Sequence, residues 1–247
     1  MGSVLLAGII LKIAFYAFLR FLLGFTFFIS IDLIFFIFVL AFMGLFFSSM
    51  VALNQIDIKK IIAYSSIAHM NFALFGFFSQ HILGLSGSFF MLFGHAITSS
   101  ALFFCIGILY DRFKTRLLFY YGGLVTFMPI FSFFFFSFIL SNFGFPGTIN
   151  FVGEFLISVG GVFISPSFFL LTCIPLILSL IYSLNLFTKI FFGSIPFFIR
   201  FFCDTTRLEF YLLFIFCFFV FLGGLFPNLF FSFFLFYLKK MSLYFFF

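Results

Sequence analysis

The sequence predicts an all-α, polytopic membrane protein of about seven transmembrane helices, the fifth of them broken in mid-membrane. Three observations carry that expectation. Charged residues make up only 7% of the 247 positions, against roughly 25% in a soluble domain, so a water-facing surface cannot be built. Mean hydropathy is +1.40, and long apolar runs follow one another with short breaks. About 20 apolar residues is the length that crosses a bilayer as helix, whereas a membrane barrel needs repeated alternation of polar and apolar residues, which is absent here.

The predicted spans are 4–23, 31–53, 60–79, 86–109, 129–163, 168–191 and 210–228. The whole chain, 1–247, reads as one membrane domain. It begins with a helix at 1–23 carrying a central lysine, continues as a helical unit over 31–191, and ends in a helix and apolar tail over 210–247. Lys239 and Lys240 suggest that the tail lies along the membrane interface.

The fifth stretch is too long for one straight crossing at about 1.5 Å per residue. Near its middle stand Asn142, Gly144, Pro146 and Gly147. Proline lacks a donor and disturbs the preceding turn, and glycine weakens the helix beside it. A helix broken in the membrane frees backbone groups that protein or water must satisfy. Broken helices therefore tend to line ion or substrate paths, although a plain proline kink would leave the same pattern.

The net charge of +6 is no nucleic-acid footprint, because the bases are scattered at helix ends. Cys105, Cys173, Cys203 and Cys217 lack metal-ligand spacing and read as apolar packing residues. No motif for nucleotide, flavin, iron–sulfur or haem binding is present. Lys12 sits inside the first apolar run, which a cleavable signal would avoid. The 59 phenylalanines and the absence of tryptophan suggest a T-rich gene, as in some mitochondrial genomes.

With the N-terminus on side one, Lys59, Lys60, Arg112, Lys114, Arg116, Lys189, Arg200 and Arg207 fall on that side. Arg20, Lys239 and Lys240 fall on the other. The positive-inside rule then places the N-terminus in the matrix or cytoplasm.

Four titratable residues stand deep in spans. Lys12 is about 12 Å of helix from the start of its run, where a lysine costs about 2.5 to 3.5 kcal/mol. Tyr16, one turn on, could share its face. Glu154 lies just past the break, where it could serve as a proton station or cap the half-helix. His69 and His95 are each paired at four residues' spacing with a hydroxyl, Ser65 and Ser99. A hydroxyl and an imidazole on one face can hold a water between them. Lys12 could instead reach the headgroups, and a satisfied packing role is the alternative for each histidine. His81 reads as solvated in a short loop, and Asp32, Asp57, Asp111, Asp204 and Glu209 as loop or cap residues near interfaces. An amine, two imidazoles and a carboxyl across a helical bundle are what a proton or cation path requires.

A run of motifs then becomes informative: GSVLLAGIILKIAFYAFLRF at 2–21, DIKKIIAYSSIAHMN at 57–71 and GHAITSSALF at 94–103. LYDRFKTR at 109–116 and YGGL at 121–124 follow, then FPGTINFVGEF at 145–155. YSLNLFTKIFFG at 182–193, DTTRLEF at 204–210 and GGLFPN at 223–228 close the series. In these segments the chain resembles the antiporter-like membrane subunits of respiratory complex I. The resemblance implies a proton-translocating subunit of that NADH:ubiquinone oxidoreductase in the mitochondrial inner membrane, with its N-terminus toward the matrix.

By position, Lys12 resembles the central lysine of the family's eighth helix. His69 and His95 resemble the histidines of its hydrophilic axis, and Glu154 the terminal acid on its broken twelfth helix. A glutamate at that last position favours the subunit-4 branch. The resemblance also implies that this chain binds no cofactor itself, with NADH, flavin, iron–sulfur clusters and ubiquinone handled elsewhere in the complex. The implied partners are the other membrane-arm subunits and membrane lipids. The resemblance covers only the second half of the family, so a separate polypeptide is expected to supply the first seven helices, with a fragment of a longer chain as the alternative. A subunit of a multi-subunit sodium/proton antiporter is the alternative, and a purely structural bundle a third.

Overall fold

The computed structural model describes residues 2–18, 31–79, 81–163, 166–194 and 203–232. Eight helical segments run through them. They are α1 (Gly2–Ala17), α2 (Ile31–Asn54), α3 (Ile58–Phe77), α4 (Ile82–Phe113), α5 (Pro129–Asn142), α6 (Ile149–Val162), α7 (Pro166–Phe191) and α8 (Arg207–Leu225). The described residues hold no strand beyond one isolated bridge between Asp57 and Leu117. The chain is an all-α membrane protein, and α2, α4, α7 and α8 are long and apolar enough to cross a bilayer.

The predicted fifth span is two helices, α5 and α6, of 14 residues each. Each extends about 21 Å at 1.5 Å per residue, short of the roughly 30 Å hydrocarbon core. The break is a Schellman ending. Phe145 N–H bonds to Leu140 O at 3.0 Å and Gly144 N–H to Ser141 O at 3.2 Å, with Gly144 left-handed at φ +70°. Pro146 then stops the helix from continuing, and Thr148, in extended conformation, starts α6.

The α4 helix runs further than the predicted 86–109 at both ends. His81 is more than solvated: its Nδ1 accepts from Leu83 N–H at 3.2 Å, and its ring stacks on Phe163 at 4.5 Å. The N-terminal turns of α4 are thereby held. At the other end, Arg112 reaches Glu209 Oε2 at 2.8 Å and Asp204 O at 3.0 Å, which keeps the last turn wound. Asp204 also accepts from Ile130 and Phe131 N–H at 2.8 and 3.2 Å, satisfying orphan donors of α5. Thr206 and Glu209 form a capping box on α8.

These contacts gather one end of the bundle. Ile58 N–H bonds to Arg116 O at 3.0 Å and Gly123 N–H to Phe192 O at 3.2 Å. The start of α3, the end of α4, the end of α7 and the start of α8 therefore share a face. Lys59, Lys60, Arg112, Lys114, Arg116, Lys189 and Arg207 stand there together, as the charge pattern predicts. Arg20, Arg200, Lys239 and Lys240 lie outside the described residues, as do the second part of the predicted first span and the tail beyond 232. The side chain of Asp32 is also outside them.

The core is dense in phenylalanine. Phe131, Phe135, Phe187 and Phe191 interlock with ring centroids 4.8 to 5.9 Å apart. The closest packing joins α4 to α6. Backbone there leaves no room for side chains: a Cβ on Gly160 would lie 2.6 Å from Gly84, and one on Gly87 2.6 Å from Ile157 N. Small residues let membrane helices approach this closely, where dispersion substitutes for a hydrophobic drive.

Candidate proton path

Between these apolar layers runs a buried polar seam formed by α1, α3, α4, α5, α6 and α7. Its first member is Lys12, which follows a π-helical turn at Leu6–Ile10. Such turns interrupt the regular ladder and recur at functional sites. The Nζ of Lys12 donates back to Ala7 O and lies 3.1 Å from His95 Nδ1. The same lysine, with Tyr16, lines a groove of about 480 Å3 between α1 and α4, so it stands at the edge of this chain.

His95 is fully buried on α4 and faces His69 on α3, the ring centroids 5.3 Å apart at 48°. His69 Nδ1 stands 3.8 Å from Glu154 Oε1. That separation is ion-pair range rather than a formed hydrogen bond. The four residues singled out in the sequence thus form one row, in the spatial order Lys12, His95, His69, Glu154. Both Nδ1 atoms are directed at the ends of the row, while Nε2 of each histidine is buried without a hydrogen-bond partner.

Glu154 reaches the row because of the break. A Cβ on Gly144 would collide with the Glu154 carboxylate, so the missing side chain leaves space for the carboxylate beside the Schellman turn. The carboxylate of α6 and the last turn of α5 occupy one volume only because residue 144 is a glycine.

The expected pairing of each histidine with a hydroxyl takes a different form. Ser99 Oγ donates to His95 O at 2.5 Å and Ser65 Oγ to Ile62 O at 2.8 Å. Serines in helices commonly back-bond to the preceding turn. Their protons are committed, but their lone pairs can still accept.

Neutral polar groups complete the seam. Asn150 Nδ2 donates to Thr98 Oγ1 at 3.3 Å, while Asn150 Oδ1, Ser141 Oγ and Tyr182 OH are buried without partners. Asn142 stands beside His69. Asn150, Thr98 and Tyr182 escape a search for charge because they carry none. The available signal was a polar side chain at mid-span together with spacing, Asn150 lying one turn before Glu154.

All four cysteines are free, and among the described residues no group of three or more potential metal ligands occurs. Cys217 Sγ, at 3.5 Å from Ser137 Oγ, joins α8 to α5 as a packing contact.

Known proteins resemble this chain in sequence and in fold. The profile of the NADH:quinone oxidoreductase/Mrp antiporter transmembrane family matches residues 1–182. NADH-ubiquinone oxidoreductase chain 4 of Chondrus crispus is 44% identical over 228 residues, which are 92% of this chain and 46% of that protein. Chain 4 of Marchantia polymorpha is 48% identical over 211 residues, 84% of this chain and 42% of that one. Among solved structures, respiratory complex I from Thermus thermophilus with bound NADH matches at TM-score 0.77 and 27% identity, covering 86% of this chain and 45% of that chain. The Mrp complex from Dietzia shares the fold, at TM-score 0.64 and 23% identity over 69% of this chain and 32% of that chain. The chain spans under half the length of the relatives it matches. A bundle with a broken helix and a buried row of titratable groups, matched across most of its length by that profile and those relatives, belongs to the NADH:quinone oxidoreductase/Mrp antiporter membrane family.

Proposed function

We propose that this chain is a proton-translocating membrane subunit of respiratory complex I, and that protons move along Lys12, His95, His69 and Glu154. The observation that supports it most is the spatial order of the row, in which each member stands next to the following one. A protonated Lys12 can donate to Nδ1 of neutral His95, which then releases its Nε2 proton toward His69. This transfer takes a bridging water between the two Nε2 atoms, neither of which has a hydrogen-bond partner in the protein. His69, protonated at Nε2, passes its Nδ1 proton to Glu154. An imidazole suits both handovers because one nitrogen accepts while the other donates. Each handover leaves one proton fewer on the donor and one more on the acceptor, and a neighbouring charge biases the whole coupled row.

In this reading NADH oxidation and quinone reduction occur in other subunits, and the N-terminus faces the mitochondrial matrix. A separate polypeptide carrying the first half of the family's helices would pack against the Lys12 groove and deliver protons there. The names of the relatives support the mitochondrial inner membrane as the location.

Replacement of Lys12 by Met or of Glu154 by Gln should slow proton passage through this chain by roughly a hundredfold or more, the scale of a lost acid–base group. The measurement is protons moved per electron in the assembled complex. Parental values in both variants would refute the assigned roles. The shared family also supports a second reading, a subunit of a sodium/proton antiporter assembly. Co-purification with NADH-oxidising, iron–sulfur subunits separates the two.

A further inference from the structure

Beside the row, toward the basic end of the bundle, lies a cavity of about 10 Å3 lined by Ile61, Ser65, Asn142, Tyr182, Ser183 and Leu186, among others. About 10–15 Å3 is the space one water molecule needs, provided that two to four polar groups meet it. Four do. Tyr182 is buried at 3% exposure and its hydroxyl has no hydrogen-bond partner. The side chains of Ser65 and Asn142 stand beside that hydroxyl, and Asn142 also stands beside His69. Ser65 and Ser183 donate to Ile62 O and Leu180 O, so toward the cavity they can only accept. Tyr182 OH and the Asn142 amide can donate into it. A water, with two donors and two acceptors, matches that set.

We propose that this cavity binds one water molecule that links the Tyr182 hydroxyl to Asn142, making Tyr182 a positioning residue for His69. The water accepts from the Asn142 amide N–H. That fixes the amide with its carbonyl oxygen toward the His69 ring, and so sets the ring's orientation between His95 and Glu154. Loss of the tyrosine hydroxyl leaves the water short of a partner, and the Asn142 amide is free to turn. The proposal rests on the proton path above but adds a residue on α7, a helix that contributes none of the four titratable groups.

The test uses the assembled complex, with protons moved per electron as the readout and assembly followed in parallel. Glu154→Gln serves as the reference for loss of the path. Tyr182→Phe keeps the ring and its packing, and should lower the ratio by an amount comparable with the reference. Ser65→Val should lower it too, whereas Ser65→Thr, equal in volume but with the hydroxyl retained, should recover most of the loss. A role in packing alone would leave the threonine and valine variants alike. The double variant Tyr182→Phe with Ser65→Val should be no worse than either single, because both act through one water. A parental ratio in Tyr182→Phe beside a lowered one in Glu154→Gln overturns this proposal and spares the path. A parental ratio in Glu154→Gln overturns both. If Tyr182→Phe does not assemble, the threonine–valine comparison decides alone.

Discussion

At the scale of single residues, the seam is built from exclusions as much as from contacts. Gly144 is the clearest case. Its φ of +70° costs a residue with a Cβ about 1–2 kcal/mol, and that Cβ would collide with the Glu154 carboxylate. Gly144→Ala should therefore displace the carboxylate from His69 as well as strain the turn. The expected result is a fall in protons moved per electron of the same kind as in Glu154→Gln, with a modest loss of thermal stability. A stable, fully pumping alanine variant would separate the break from the path. The titratable members of the row were legible in the sequence, because a charge deep in an apolar run is costly and conspicuous. Their order was not. Lys12 and His95 are 83 residues apart in the chain, and no local spacing decides which histidine meets the lysine. Asn142 was visible as part of the break, but its place beside His69 was not. Tyr182 was hidden because a neutral tyrosine in a phenylalanine-rich helix looks like packing.

At the scale of elements, the half-helices α5 and α6 hold their positions through their ends. The N-terminus of α5 is capped from outside by the Asp204 carboxylate, at 2.8 and 3.2 Å from two backbone N–H groups. Arg112 in turn holds the Asp204 backbone and the Glu209 carboxylate. Asp204→Ala should cost about 1–2 kcal/mol, the range for a lost N-cap, and lower the melting temperature of the assembly. Asp204→Asn, which keeps an acceptor, should cost less. Because the cap is at the far end of α5 from Asn142, proton passage per electron should change little in either variant. The sequence places Asp204 near an interface as a cap or loop residue, and its motif DTTRLEF contains the Thr206–Glu209 capping box. Its use on a different helix, 74 residues away, is a tertiary fact. The break follows the same division. Gly144, Pro146 and Gly147 announce it locally, but the meeting of Glu154 with the turn depends on how α6 folds back.

At the scale of the whole molecule, the described helices enclose a polar seam, with α4 and α6 packed tightly beyond Glu154. On the α6 side, Gly84, Gly87 and Gly160 bring α4 and α6 into backbone contact. Gly160→Leu should force the helices apart, costing about 1–3 kcal/mol as an overpacked interface. It should admit water beside Glu154. Faster hydrogen exchange along α6, measured in the assembled complex, would show it, whereas an unchanged exchange pattern would mean that the interface has slack. At the other edge, Lys12 stands on a groove of about 480 Å3, so the row begins at the boundary of this chain and ends inside it.

The sequence by itself determined the material of this protein. In hydrocarbon every backbone polar group must be satisfied inside the protein, so the all-α build, the long crossings and the break follow from apolar length and from proline and glycine, all of them local properties. It also determined which side chains carry protonatable groups. Only the tertiary structure decided which of those groups touch, in what order, and which neutral residues attend them. Contacts between helices depend on packing between residues far apart in the chain, and hydropathy does not encode that geometry.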